Sequence, residues 1–135
     1  MPSGKENDMW KWLLIALAIP GLILMMSSHA LADGAITPTQ AAALIQNKKD
    51  IQLIDVRTAG EYAAGHLANA KLIPVQEFAQ RLAEIDKNKP VLLYCRSGHR
   101  SGNALKILQD NGYKDAKHVE GGINAWQAAG LPVTR

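Results

Sequence analysis

Beyond residue 33, short apolar runs alternate with longer segments in which apolar residues recur every three to four positions. Short runs of this kind are typical of buried strands, and the periodic segments are typical of amphipathic helices. The pattern predicts strands at residues 51–56, 71–75, 91–94 and 116–119. It predicts helices at residues 37–47, 58–65, 76–86 and 103–112, followed by a short helix that carries Trp126.

Local signals mark several ends of these elements. Thr37 and Thr58 are each followed three residues later by Gln or Glu, which is the capping-box pattern of a helix start. Pro38 stands at the first helical position, where its missing N–H does no harm. Pro74 cuts off the strand predicted at residues 71–75.

Strands that alternate with helices predict an α/β fold, with a parallel sheet and helices on both faces. Right-handed crossovers place the carboxyl ends of all parallel strands at one edge, where ligands bind in such sheets. Cys95, the only cysteine, directly follows the predicted strand at residues 91–94. We therefore expect the thiol to lie at the ligand-binding edge.

The first 32 residues follow the plan of a secretory signal peptide. A polar start precedes an apolar run at residues 13–26, and the triplet Ala30-Leu31-Ala32 predicts cleavage after Ala32. The apolar run is shorter than the ~20 residues that a membrane-crossing helix needs. Residues 33–135 then form a single exported domain, unless the leader stays uncleaved and residues 9–26 anchor the domain to the inner membrane.

Charge and composition exclude some classes of function. The net charge is only +3, from 15 basic and 12 acidic residues, and the basic residues are scattered along the chain. Because no basic run with interleaved aromatic residues occurs, we expect no nucleic-acid partner. We also expect no metal or other cofactor, and nothing in the pattern demands more than a monomer.

A single cysteine forms no internal disulfide, so Cys95 is a buried core residue, an intermolecular link or a reactive thiol. Free cysteines are most often buried, but the following loop favours a reactive thiol. Helix N-termini attract anions and lower the pKa of a nearby thiol. An exported thiol also has to persist where thiols tend to be oxidised. We expect Cys95 to be a thiolate nucleophile, with substrate contacts from Arg96, Ser97, Gly98, His99, Arg100 and Ser101.

Four segments of residues 36–133 resemble the rhodanese family of sulfurtransferases, in particular its small single-domain periplasmic members in bacteria. They are Ile54-Asp55-Val56-Arg57 with Glu61-Tyr62, Gly65-His66-Leu67 with Ala70 and Ile73-Pro74, the stretch from Tyr94 to Ser101, and Gly121-Gly122 with Trp126. The resemblance implies a five-stranded parallel sheet and a catalytic cysteine at Cys95. It also implies that Asp55 and Arg57 form a structural pair.

The fold that the resemblance implies also serves phosphatases and arsenate reductases, so the loop has to decide between sulfur and oxyanion substrates. Phosphatases place five residues between Cys and Arg, whereas four residues separate Cys95 from Arg100 here. In the family the shorter loop accompanies sulfur substrates. The resemblance therefore implies a relay in which thiosulfate loads Cys95 with sulfur, and cyanide or a thiol takes that sulfur away.

Within this relay, N–H groups of residues 96–101 would stabilise the sulfur, and Arg96, Arg100 and His99 would attract the dianionic donor. Ser101 would donate a hydrogen bond, while Gly98 and Gly102 would let the backbone turn tightly. Three alternatives stay open. Either arginine could pair with a carboxylate of the fold, the persulfide could pass to a partner protein, and the protein could be an oxyanion enzyme.

Overall fold

Five parallel strands form one sheet in the computed structural model, which describes residues 34–135. Their order across the sheet is β1-β5-β4-β2-β3. The strands are β1 (Ala35–Ile36), β2 (Gln52–Asp55), β3 (Lys71–Leu72), β4 (Val91–Tyr94) and β5 (Ala116–Val119). The predicted signal peptide lies outside the described residues.

Four helices connect successive strands: α1 (Pro38–Asn47), α2 (Ala59–Ala64), α3 (Val75–Phe78) and α4 (His99–Asp110). A further helix, α5 (Gly122–Ala128), follows β5. Both predicted capping boxes are present, because Thr37 and Thr58 each accept from the N3 backbone while the N3 side chain bonds back to the cap. These reciprocal bonds explain why the sequence located both helix starts correctly.

Three predicted boundaries were wrong. Helix α4 begins at His99 rather than at Asn103, because Gly98 turns the chain with a φ of 102° and the helix follows at once. The strand predicted at residues 71–75 spans only Lys71–Leu72. The helix predicted at residues 76–86 is instead the short α3 followed by a 3-10 segment at Ala79–Glu84.

Helices cover both faces of the sheet, as the sequence predicts. Because neighbouring side chains of a strand point to opposite faces, β4 supplies both halves of the core. Leu93 packs with Phe78 and Leu108 against α3 and α4. Leu92 and Tyr94 pack on the other face with Ala41 and Trp126, among other residues. Strand β4 is therefore held from both sides.

Within residues 34–135, no helix is both long enough and apolar enough to cross a membrane.

Candidate active site

Cys95 directly follows the central strand β4 at the carboxyl edge of the sheet, as predicted. The residue is only 1 % exposed, and its side chain packs with the core on the α4 side. The backbone N–H of Gly98 donates to its Sγ atom at 3.1 Å. The thiol thus lies at the base of the loop, directly before the N-terminus of α4.

The pKa of Cys95 reflects two opposing effects. Burial raises the pKa, whereas hydrogen bonds from the Ser101 hydroxyl and from the backbone N–H groups of Ser101, Gly98 and Ser97 lower it. The net pKa lies below the ordinary value for a thiol. Since burial alone would favour the neutral thiol, the loop donors are what stabilise the thiolate.

The loop is also held from behind by the start of α5. The N–H of Ile123 donates to the Cys95 carbonyl at 2.9 Å, and the N–H of Asn124 donates to the Arg96 carbonyl at 3.2 Å. This approach requires glycine at position 122, because a Cβ there would fall 2.5 Å from the carbonyl carbon and oxygen of Arg96. Gly122 also has a φ of +60°, which disfavours other residues.

Arg100 pairs with a carboxylate of the fold, which is one of the two roles that the sequence left open for it. Its guanidinium forms a two-pronged ion pair with Glu61, with nitrogen–oxygen distances of 2.7 and 2.9 Å. The Arg100 hydrogen bonds lower the pKa of Glu61 to about 2, although burial opposes this effect and Thr58 adds to it. The ion pair ties the first turn of α4 to α2.

Arg96 differs from Arg100, because it is exposed and forms no ion pair within the described part of the chain. It lines a cleft of about 290 Å³ that also includes Arg57, Arg135, Asn124 and Gln127. Cys95 does not line this cleft. Arg96, which directly follows Cys95 in the chain, is therefore the residue of the loop that lines this cleft.

The remaining predicted loop residues occupy different positions. Ser97 and His99 are exposed, whereas Ser101 is fully buried in the first turn of α4. Gly102 lies inside α4 without a positive φ, so its predicted role in a tight turn was wrong and Gly98 alone makes the turn.

One neighbour of the loop was missed by the sequence analysis. His118, assigned there only to a strand, places its Nδ1 atom 2.9 Å from the hydroxyl oxygen of Ser101. Strand β5 lies beside β4, and Leu93 is the register partner of His118. Its position one residue before the Val119 strand end was the only available signal.

Beneath the loop, Asp55 and Arg57 form the expected structural pair. Their closest contact is 2.7 Å, and both side chains are almost fully buried. Arg57 also donates to the carbonyl of Gly65 at 2.6 Å and lies 5.6 Å from the centre of the Tyr94 ring. These contacts join the ends of β2 and β4, so the ion pair has a structural role, while Arg57 also lines the cleft beside Arg96.

Within residues 34–135, no group of three or more His, Cys, Asp or Glu side chains could hold a metal ion.

Comparison with known proteins agrees with this geometry. The family model described as the rhodanese-like domain matches residues 37–129. The chain belongs to this family. It is 38% identical over 89 residues to a sulfurtransferase of Allochromatium vinosum, covering 66% of this chain and 83% of that protein. It is 33% identical over 98 residues to the thiosulfate sulfurtransferase GlpE of Actinobacillus pleuropneumoniae, covering 73% and 90%.

Solved structures give the same assignment. A rhodanese-like domain protein from Staphylococcus aureus superposes with a TM-score of 0.65 at 37% identity, covering 75% of this chain and 98% of that one. This likeness confirms the predicted rhodanese fold. The sulfurtransferase relatives support sulfur transfer as the general function of the domain.

Proposed function

We propose that this protein is a thiosulfate sulfurtransferase that carries sulfur as a persulfide on Cys95. The proposal rests on the buried sulfur of Cys95, which accepts the Gly98 N–H at 3.1 Å and whose pKa is lowered by hydrogen bonds from the loop N–H groups and the Ser101 hydroxyl. A sulfur anion in this position is stabilised by donors that are already in place, both before and after it gains a second sulfur. The same donors stabilise a neutral thiol much less than they stabilise the anion.

In the first half-reaction, the Cys95 thiolate attacks the outer sulfur of thiosulfate. A new sulfur–sulfur bond forms on Cys95 while the one in thiosulfate breaks, and its electron pair leaves with sulfite. In the second half-reaction, cyanide or a thiolate attacks the outer sulfur of the persulfide. The electron pair of the broken bond then returns to Cys95, and cyanide leaves as thiocyanate.

Arg96 is the residue best placed to attract the dianionic donor, because it is exposed and its charge is not paired with a carboxylate of residues 34–135. Arg100 contributes differently. Its pKa is raised mainly by the hydrogen bonds to Glu61 and also by the charge of the Cys95 thiolate. Because this attraction is mutual, the Arg100 charge stabilises the sulfur anion from within the fold.

Intact mass measurement tests the first half-reaction. Purified wild-type protein incubated with thiosulfate is expected to gain the mass of one sulfur atom, and Cys95→Ser is expected to gain none. No gain by the wild type would contradict the proposal. Addition of cyanide should then restore the original mass and release thiocyanate.

The outcomes also separate the alternatives. Loading with sulfur without thiocyanate release would favour a carrier that delivers sulfur to a partner protein. Hydrolysis of an aryl phosphate at a rate comparable with sulfur transfer would instead favour an oxyanion enzyme.

We further propose that the domain works in the periplasm, from the signal-peptide pattern of residues 1–32. N-terminal sequencing of protein produced in a bacterium is expected to begin at Asp33. An intact Met1 terminus in the membrane fraction would instead support an anchor at residues 9–26.

A further inference from the structure

His118 is a titratable side chain beside the reactive sulfur that the mechanism above does not use. Its ring is partly buried on β5, and its Nδ1 atom lies 2.9 Å from Ser101 Oγ. Ser101 itself is fully buried. Because the Ser101 hydroxyl also lowers the pKa of the Cys95 thiol, a histidine bonded to that hydroxyl is placed to control where it donates its proton.

The hydroxyl of Ser101 has one proton and three neighbours that could accept it. They are the Gly98 carbonyl at 3.2 Å, the Nδ1 atom of His118, and the sulfur of Cys95. The Gly98 carbonyl already accepts the N–H of Gly102 at 3.0 Å, as part of the first turn of α4. That carbonyl therefore keeps a donor wherever the serine proton points, so the two acceptors for which this proton matters are the histidine and the sulfur.

The state of the imidazole decides between these two. If Nδ1 carries no proton, it accepts from Ser101, and the sulfur loses the hydroxyl as a donor. If Nδ1 carries a proton, it donates to Ser101 Oγ, and the hydroxyl proton is free to bond the sulfur. A thiolate or persulfide anion on Cys95 favours the second arrangement, because successive hydrogen bonds that end on an anion strengthen one another.

We propose that His118 is a positioning residue whose Nδ1–H donates to Ser101 Oγ and thereby directs the Ser101 hydroxyl proton to the sulfur of Cys95. This inference rests on the proposed function only in requiring that the sulfur works as an anion. Burial lowers the pKa of His118, and nearby Glu120 opposes that shift only in part. The ring is therefore neutral at pH 7 and acts through its tautomer rather than through a charge.

The test is a pH titration of the Cys95 thiolate by its ultraviolet absorbance. Cys95 is the only thiol in the chain, and Cys95→Ser supplies the baseline. His118→Leu replaces Nδ1 by a methyl group, whereas His118→Asn keeps an N–H donor at the same distance from the main chain. We expect the leucine variant to raise the Cys95 pKa by about one unit, a tenfold change in the thiolate equilibrium, and the asparagine variant to restore most of it.

The Ser101→Ala background shows whether histidine acts through serine. Ser101→Ala is expected to raise the Cys95 pKa, and adding His118→Leu to it is expected to change nothing further. An equal effect of His118→Leu in both backgrounds, or no effect in either, would overturn the inference. If His118→Leu fails to fold, His118→Gln replaces it, because the longer side chain moves the amide away from the Nδ1 position.

This titration needs no sulfur donor, so its result is independent of sulfur transfer. Wild-type protein that gains no sulfur from thiosulfate refutes the proposed function. An unchanged Cys95 pKa in His118→Leu refutes only the role of the histidine and leaves the proposed function untouched.

Discussion

Substitution of Gly122 by alanine should disrupt the reactive loop without touching the sulfur. The added Cβ would meet the carbonyl carbon and oxygen of Arg96 at 2.5 Å, and the carbonyl oxygen of Cys95 more closely still. Ordinary contacts begin near 3.4 Å, so these groups must separate by roughly 0.9 Å. The Cys95–Arg96 peptide and the start of α5 would move apart.

The expected loss of stability has two parts. Alanine in the left-handed region costs about 1–2 kcal/mol. The separation also weakens the hydrogen bonds from Ile123 and Asn124 to the loop carbonyls, which are worth about 1 kcal/mol each. We therefore expect Gly122→Ala to lower the free energy of unfolding by about 3–4 kcal/mol. The thiolate pKa should rise as the loop N–H groups move away from the sulfur.

Gly112→Ala is the matched control. Gly112 has a φ of +85°, but a Cβ there would meet nothing within 4 Å. It should therefore cost only the backbone term, about 1–2 kcal/mol, with no change in the Cys95 pKa. Urea unfolding and thiolate titration measure both quantities. Equal losses of stability in the two variants, or an unchanged Cys95 pKa in Gly122→Ala, would refute the steric argument.

Three further predictions test other contacts. Because Arg100 holds the pKa of Glu61 at about 2, below the ordinary 4.5, the ion pair stabilises the fold above pH 4.5 and is lost as the pH falls towards 2. The melting-temperature difference between wild type and Glu61→Gln should shrink over that range, and a constant difference would contradict the argument. Asp55→Asn should lower the free energy of unfolding by about 3–5 kcal/mol, because it leaves a buried guanidinium unpaired, whereas Asp115→Asn at the surface should cost under about 1 kcal/mol. Equal urea midpoints for these two would be evidence against a buried pair. Arg96→Ala should raise the KM for thiosulfate severalfold with little change in kcat, as steady-state assays would show, and an unchanged KM would exclude a role in donor binding.

Local signals carried most of the correct predictions. The capping boxes at Thr37 and Thr58 join residues three positions apart, so the sequence contains both partners of each bond. The start of α4 was missed because its cap, Gly98, has no side chain that could signal it. Strand β1 was missed for another reason, since two residues form no recognisable period.

The parts of the site that the sequence did not predict depend on long-range approach. Arg100 and Glu61 are 39 residues apart, and His118 and Ser101 are 17 apart. Neither spacing corresponds to a turn or a helix period, so only the folded sheet brings these partners together. The same holds for position 122, which requires glycine because the loop carbonyls pack against it.

The central place of β4 has a consequence for how the molecule opens. Amide hydrogen exchange proceeds through partial openings that begin at weakly held edges. Strands β1 and β3 are two residues long and lie at the outer edges, while β4 is bonded to both β2 and β5. Fluctuations that release an edge strand therefore leave β4, and Cys95 at its end, bonded to β2 and β5. Exchange at Leu92 and Leu93 should require unfolding of the whole domain, and heat inactivation should coincide with that transition.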